Sequence, residues 1–134
     1  MIRYLLDTDI CIELIRVKSA ALLERLRTQR VGSVAISSVT LAELQYGVAK
    51  SRDPDRNLVA LLHFVAPLEV LPFEQKAAEA YGRLRADLER AGKPIGSMDM
   101  LIAAHAQAAE LVLVTNNERE FSRVAGLSLE KWDV

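Results

Sequence analysis

Leu111-Val112-Leu113-Val114-Thr115-Asn116-Asn117 is the stretch whose reading decides the fold. Four apolar residues in a row, without the polar alternation of a half-exposed strand, describe a short strand covered on both faces, and the polar triplet after it is a turn. The same pattern opens the chain, where Tyr4-Leu5-Leu6 stops at Asp7-Thr8-Asp9. It returns at Val34-Ala35-Ile36 before Ser37-Ser38-Val39-Thr40, and at Val70-Leu71 between Pro67 and Pro72. A last strand is expected over residues 127–129. Between the strands the apolar residues recur at helical spacing. Residues 10–15 read as a short helix, and Ser19 caps a helix through residue 29 that carries Leu22, Leu23 and Leu26. Leu41, Leu44 and Val48 mark a helix fed directly by the second strand. Asp53-Pro54 opens another, with Leu58, Leu61, Leu62 and Val65 as its stripe. Residues 74–91 form the longest helix, closed by Gly92 and Pro94, and Ser97 is expected to cap a helix over 98–109. Buried strands alternating with helices predict an α/β sandwich around a mostly parallel sheet of four to five short strands.

A chain of 134 residues, 51% of them hydrophobic, is the size of one domain and has ample material for a core, which excludes a disordered chain. Seventeen Lys and Arg against eighteen Asp and Glu leave a net charge of −1, so a polybasic nucleic-acid binder is not expected. The single Cys11 closes no internal disulfide. The apolar start is cut by Asp7 before it reaches the length of a signal-peptide core, and no stretch approaches a bilayer span. Together these predict a cytoplasmic protein with no membrane partner.

In open parallel sheets ligands bind beyond the carboxyl ends of the strands, so the polar residues placed there carry the chemistry. Asp7 follows the first strand, Glu43 lies early in the helix after the second, Asp99 lies near the start of the helix after Ser97, and Glu120 follows Thr115-Asn116-Asn117 by one turn. Each has an ordinary structural reading. Thr40-x-x-Glu43 and Asn117-x-x-Glu120 fit capping boxes, Asp99 suits a helix start, and Asp7 or Asp9 suits a cap. Four acids on one rim, however, repel one another and raise one another's proton affinity unless a cation joins them. Carboxylate oxygens suit magnesium or manganese, and such an ion binds phosphate oxygens and activates water, which points to hydrolysis of nucleic acid.

At these residues the chain resembles a known family. Leu5-Leu6-Asp7-Thr8-Asp9-Ile10, Ile36-Ser37-Ser38-Val39-Thr40-Leu41-Ala42-Glu43-Leu44, Ile95-Gly96-Ser97-Met98-Asp99-Met100-Leu101-Ile102-Ala103-Ala104-His105-Ala106 and Val114-Thr115-Asn116-Asn117-Glu118-Arg119-Glu120-Phe121 are similar to the ordered motifs of the PIN-domain VapC toxins. The similarity runs nearly end to end, through Gly126-Leu127 and Trp132. It implies one PIN-like domain over 1–134 and a magnesium-dependent endoribonuclease, in which manganese substitutes for magnesium. It implies the toxin half of a type II toxin–antitoxin pair, neutralised by a cognate VapB-type antitoxin. It further implies a homodimer, higher-order complexes with the antitoxin, operator DNA reached only through that antitoxin, and structured RNA, transfer RNA foremost, as substrate. Cleavage would leave 5′-phosphate and 3′-hydroxyl ends. By the resemblance Asp7, Glu43 and Asp99 form the acidic core and metal site. Many relatives carry Asp where this chain has Asn117, while a subgroup uses the acid at Glu120, which is taken here as the fourth acid. Thr8, Thr115, Asn116 and Asn117 are expected to support the carboxylates or touch phosphate, and Arg119 and Arg123 to touch RNA.

Other residues read as structural. His105 shares a helix face with Met98, Leu101 and Ile102 that is expected to be packed, Cys11 is a small buried hydrophobe, and Trp132 packs the C-terminal end. Arg83, Arg85, Arg90 and Lys93 read as a solvated helix face that could also rim a phosphate site. Two other functions fit parts of the pattern. Asp7-x-Asp9 after an apolar strand imitates the nucleophile motif of haloacid-dehalogenase-like phosphatases, and an acidic cluster on an α/β sheet also occurs in receiver-like signalling domains. The first leaves Glu43 and the residues from Asn117 to Glu120 without a role. The second lacks a phosphoacceptor Asp after the third strand, which ends in Pro72-Phe73-Glu74.

Overall fold

The computed structural model describes residues 1–132, so the last two residues of the expected domain lie outside the described ones. The chain runs β1 (Tyr4–Leu6), α1 (Thr8–Ile15), α2 (Ala20–Arg27), β2 (Val34–Ser37), α3 (Ser38–Ala49), α4 (Pro54–Val65), β3 (Glu69–Leu71), α5 (Gln75–Arg90), α6 (Ser97–Ala108), β4 (Val112–Val114), α7 (Glu118–Phe121) and β5 (Leu129–Glu130). The strands form one sheet in the order β3-β2-β1-β4-β5, and every pairing is parallel.

Burial on both faces explains the apolar runs. Leu5, Ala35 and Leu113 point to one side, where they meet Leu84 and Leu88 of α5 and Ile102, Ala103 and Ala106 of α6. Tyr4, Leu6, Val34, Ile36 and Val114 point to the other, against Ile10 and Leu14 of α1, Leu22 of α2, Leu44 of α3 and Leu61 of α4. Trp132 is buried in this second layer and meets Tyr4 edge to face, with ring centroids 5.1 Å apart. The architecture is therefore the expected α/β/α sandwich.

Several boundaries differ from the sequence reading for local reasons. Helix α1 starts at Thr8, because Asp7 itself is the cap and takes the Ile10 amide on Oδ1 at 2.8 Å. Helix α2 ends at Arg27, with Thr28 as its cap. Helix α3 starts at Ser38 because the hydroxyl of Ser37 accepts from the Val39 amide, so Thr40 lies inside the helix and the Thr40–Glu43 capping box does not form. Gly96, not Ser97, stands at the cap position of α6, where no side chain makes a capping bond. Strand β5 begins at Leu129, at the end of the expected segment. Gly92 closes α5 with φ +67°, a left-handed conformation that suits glycine.

The topology places a crevice. The chain steps outward from β1 to β2 to β3, then returns across the sheet through α5 and α6 to lay β4 on the opposite flank of β1. Order reverses between β1 and β4, and ligand sites in such sheets lie beyond the carboxyl ends of the strands at that reversal. Asp7 and Thr115 are the first residues past those two ends, and the Asp7 amide donates to the Val114 carbonyl at 3.1 Å.

Candidate active site

Asp7 is buried, with 3% of its surface exposed, at the carboxyl end of an apolar strand. Oδ1 is held by the Ile10 amide and Oδ2 by the hydroxyl of Thr115, which in turn accepts from the Asn117 amide at 2.9 Å. These donors favour the carboxylate, yet burial outweighs them. The group is pushed up to about 6 by desolvation, with smaller additions from the charges of Asp9 and Asp99.

Asp99 enters from α6, where its carboxylate lies against the backbone of Gly96; a Cβ there would stand 3.4 Å from Oδ2. It too is pushed up to about 6, first by desolvation and then by the charges of Glu120, Asp9 and Glu43. Glu43, on the second turn of α3, accepts from Thr8 at 2.6 Å through Oε1, and the Thr8 hydroxyl also bonds the buried Thr40 at 3.2 Å. Glu120 accepts from the Asn117 side-chain amide at 2.9 Å, so Asn117 holds this acid and does not cap α7. The four acids named from sequence thus meet around one rim. Asp9 joins them, a residue that the sequence offers as a cap or as part of a phosphatase-like Asp7-x-Asp9 motif.

The donor set fits a hard divalent cation. The ion pairs among the described residues, Arg25–Glu130, Arg85–Glu89 and Arg90–Asp87, lie elsewhere, so no Lys or Arg neutralises this cluster from within. Among the described residues no three acid, His or Cys side chains stand close enough to share one ion. A metal here would rest on one or two carboxylates and complete its shell with water, the habit of magnesium.

The cluster opens into a cleft of about 710 Å³ between α1, α3 and α4, lined by Asp7, Thr8, Asp9, Glu43 and Asp99 at one end and by Arg16 and Lys50 among others. Sequence reading missed those two cations, although the spacing was there: Asp9, Ile12 and Arg16 repeat at i, i+3 and i+7, and Glu43, Gly47 and Lys50 at i, i+4 and i+7. Arg119 and Arg123 are exposed and do not line the cleft; Arg123 donates to the Pro94 carbonyl at 2.9 Å. Asn116 turns its amide to Glu13 at 3.1 Å, leaving Oδ1 buried without a partner.

His105 is buried, its Nδ1 2.8 Å from Ser37 Oγ, and burial lowers its proton affinity. The packed face expected around it is interrupted, because Met98 is 43% exposed at the mouth of the cleft. Cys11 is fully buried, and burial pushes its thiol up, away from a nucleophile's range.

Comparison with known proteins carries this reading further. The PIN domain family model matches residues 4–127. The tRNA(fMet)-specific endonuclease VapC of Shigella flexneri is 47% identical over 132 residues, 98% of this chain and 99% of that protein. This chain belongs to the VapC ribonucleases of the PIN-domain family. Ribonuclease VapC2 of Haemophilus influenzae is 42% identical over the same shares of the two chains. Among solved structures, VapBC2 of Rickettsia felis bound to a DNA fragment from its promoter matches with a TM-score of 0.93 and 44% identity, covering 99% of this chain and 100% of that one. DNA-bound VapBC from Salmonella typhimurium matches with a TM-score of 0.94 and 44% identity, covering 98% and 99%. VapC ribonucleases are the toxins of VapBC toxin–antitoxin systems, and PIN-domain ribonucleases are metal-dependent. The phosphatase and receiver readings are thereby set aside.

Proposed function

We propose that this VapC ribonuclease is a magnesium-dependent endonuclease of transfer RNA, with manganese able to substitute, that is neutralised by a VapB-type antitoxin. The observation that carries the proposal is the meeting of Asp7 and Asp99 with Asp9, Glu43 and Glu120 at one rim with no ion-pair partner among the described residues, where burial and mutual repulsion push Asp7 and Asp99 up to about 6. Such a cluster binds a divalent cation in preference to protons at neutral pH, because the ion removes the repulsion that raised both groups. The chemistry supplied by a bound magnesium is neutralisation of charge at the scissile phosphate and acidification of water.

The protein's own residues then have separate tasks. Asp7 and Asp99 are the principal ligands, and Thr115 and the Ile10 amide fix the orientation of Asp7. Glu43 is held by Thr8 through Oε1, which leaves Oε2 to accept a hydrogen bond from the attacking water. Glu120 completes the acidic site, and Asn117 positions it. Attack by water in line with the leaving 3′ oxygen needs no 2′-hydroxyl and leaves 5′-phosphate and 3′-hydroxyl ends.

Transfer RNA as substrate is supported by the tRNA(fMet)-specific endonuclease of Shigella flexneri, and the antitoxin partner by the VapBC complexes. The DNA-bound VapBC complexes also support larger assemblies with the antitoxin that reach operator DNA through it, and the family resemblance implies a homodimer. Incubation of the purified protein with a transfer RNA pool tests the reading. Cleavage is expected with magnesium and is expected to stop with a chelator or in Asp99→Asn; cleavage that survives both changes contradicts it.

A further inference from the structure

The cleft does not end at the acids, and its far end has a chemistry of its own. Along α1 the face that carries Asp9 continues through Ile12 to Arg16, and along α3 the face that carries Glu43 continues through Gly47 to Lys50. Seven residues of helix advance about 10 Å. Each wall of the cleft is therefore acidic where the strands end and basic two turns on. Neither Arg16 nor Lys50 takes part in an ion pair among the described residues. Tyr46, one turn before Lys50 on α3, is 66% exposed although it lines the same cleft, with the Lys50 ammonium 4.8 Å from its ring centroid.

We infer that Tyr46, Lys50 and Arg16 form a nucleotide subsite that grips the RNA strand next to the scissile phosphate, Tyr46 stacking on an unpaired base while the two cations take the adjoining phosphate. The inference rests on the nuclease reading of the acids. A phosphodiester seated at Asp7 and Asp99 belongs to a strand that must leave the acids in some direction, and the cleft offers a continuous path. An anionic polymer leaving an acidic pocket is stabilised where positive charge begins, and two cations not otherwise paired supply it. An exposed aromatic beside cations is the recurring platform for unpaired bases, since every base has a π-face. The near-neutral chain therefore needs no broad basic surface to hold RNA.

Binding is separated from cleavage by placing each change in an Asp7→Asn background and following the fluorescence anisotropy of a labelled single-stranded oligoribonucleotide against salt. Tyr46→Ala and the double variant Arg16→Gln with Lys50→Gln are each expected to weaken binding roughly tenfold. The double variant is also expected to flatten the slope of log affinity against log salt by about one to two. Tyr46→Phe, which keeps the ring, retains binding. Arg27→Gln, an exposed residue of α2 that does not line the cleft, leaves affinity and slope unchanged. With Asp7 restored, Tyr46→Ala and the double variant raise KM for a transfer RNA pool and leave kcat unchanged. Unchanged affinity and slope in both overturn the subsite, as does a loss of antitoxin binding with RNA binding intact, which would make the cleft a protein groove. Failure of the underlying nuclease reading shows separately, as cleavage by wild type that ignores a chelator.

Discussion

The outer surface of α5 and the rim of the sheet treat acidic residues in opposite ways. On α5, Asp87 and Glu89 stand in water and each has an arginine beside it, Arg90 at 3.1 Å and Arg85 at 3.3 Å. At the rim beyond the carboxyl ends of the strands, Asp7 and Asp99 are removed from water to different degrees and take no ion-pair partner among the described residues. Four charges balanced in solvent do little, since exposed pairs contribute little to stability. The same kind of charge, desolvated and left unpaired, becomes a demand for an external cation. Composition sums these regions with the rest of the chain to −1 and hides the difference.

The contrast can be broken from the buried side first. Asp7 has its pKa raised in the folded protein to about 6, against 3.8 for the free group. A raised carboxyl favours the folded state fully below the unfolded value and loses that contribution as pH rises through the folded value. The metal-free protein should therefore gain stability as pH falls from about 7 to about 4, by roughly 2–3 kcal/mol from Asp7. Asp99, half-buried and shifted in the same direction, adds less. Urea unfolding at several pH values measures this, and Asp7→Asn should flatten the profile. Magnesium at neutral pH should replace protons as the stabilising agent, which appears as a rise in Tm that Asp7→Asn reduces.

A subtler change sharpens the comparison without deleting an acid. Thr115→Val removes the hydroxyl that donates to Asp7 Oδ2, one of the bonds that lowers the group against its burial. The Asp7 carboxyl should rise further, moving the acid limb of the kcat–pH profile to higher pH, whereas Thr115→Ser should leave it in place. On the solvated face the expected effect is smallest. Removing both charges with Arg85→Gln and Glu89→Gln should leave Tm and transfer RNA cleavage unchanged, because water and neighbouring turns already satisfy these groups.

How much of this was legible in the sequence follows the range of the interactions involved. Buried strands announce themselves by local apolar runs, so the sheet and its rim could be read from Tyr4-Leu5-Leu6 and Leu111-Val112-Leu113-Val114. The acids could be named because each follows a strand or opens a helix. Their partners could not. Glu43 looked like a capping residue of its own helix, but Ser37 took the cap and Glu43 turned to Thr8, 35 positions away. Asn117 offered no local sign that it would hold Glu120 while its amide steadied Thr115. Arg119 and Arg123 were singled out for nearness in sequence to Glu120, while Arg16 and Lys50 line the cleft because α1 and α3 carry them there. Caps and pairs chosen by competition among neighbours are decided by packing, which local spacing does not encode.

The most direct test reads the two aspartates themselves. Carboxyl carbon NMR titration of Asp7 and Asp99 in the metal-free protein should show both groups titrating near 6. In saturating magnesium both should remain ionised well below that pH, as ligands of a cation do. Titration of both near the free value of 3.8, unmoved by magnesium, would contradict the account.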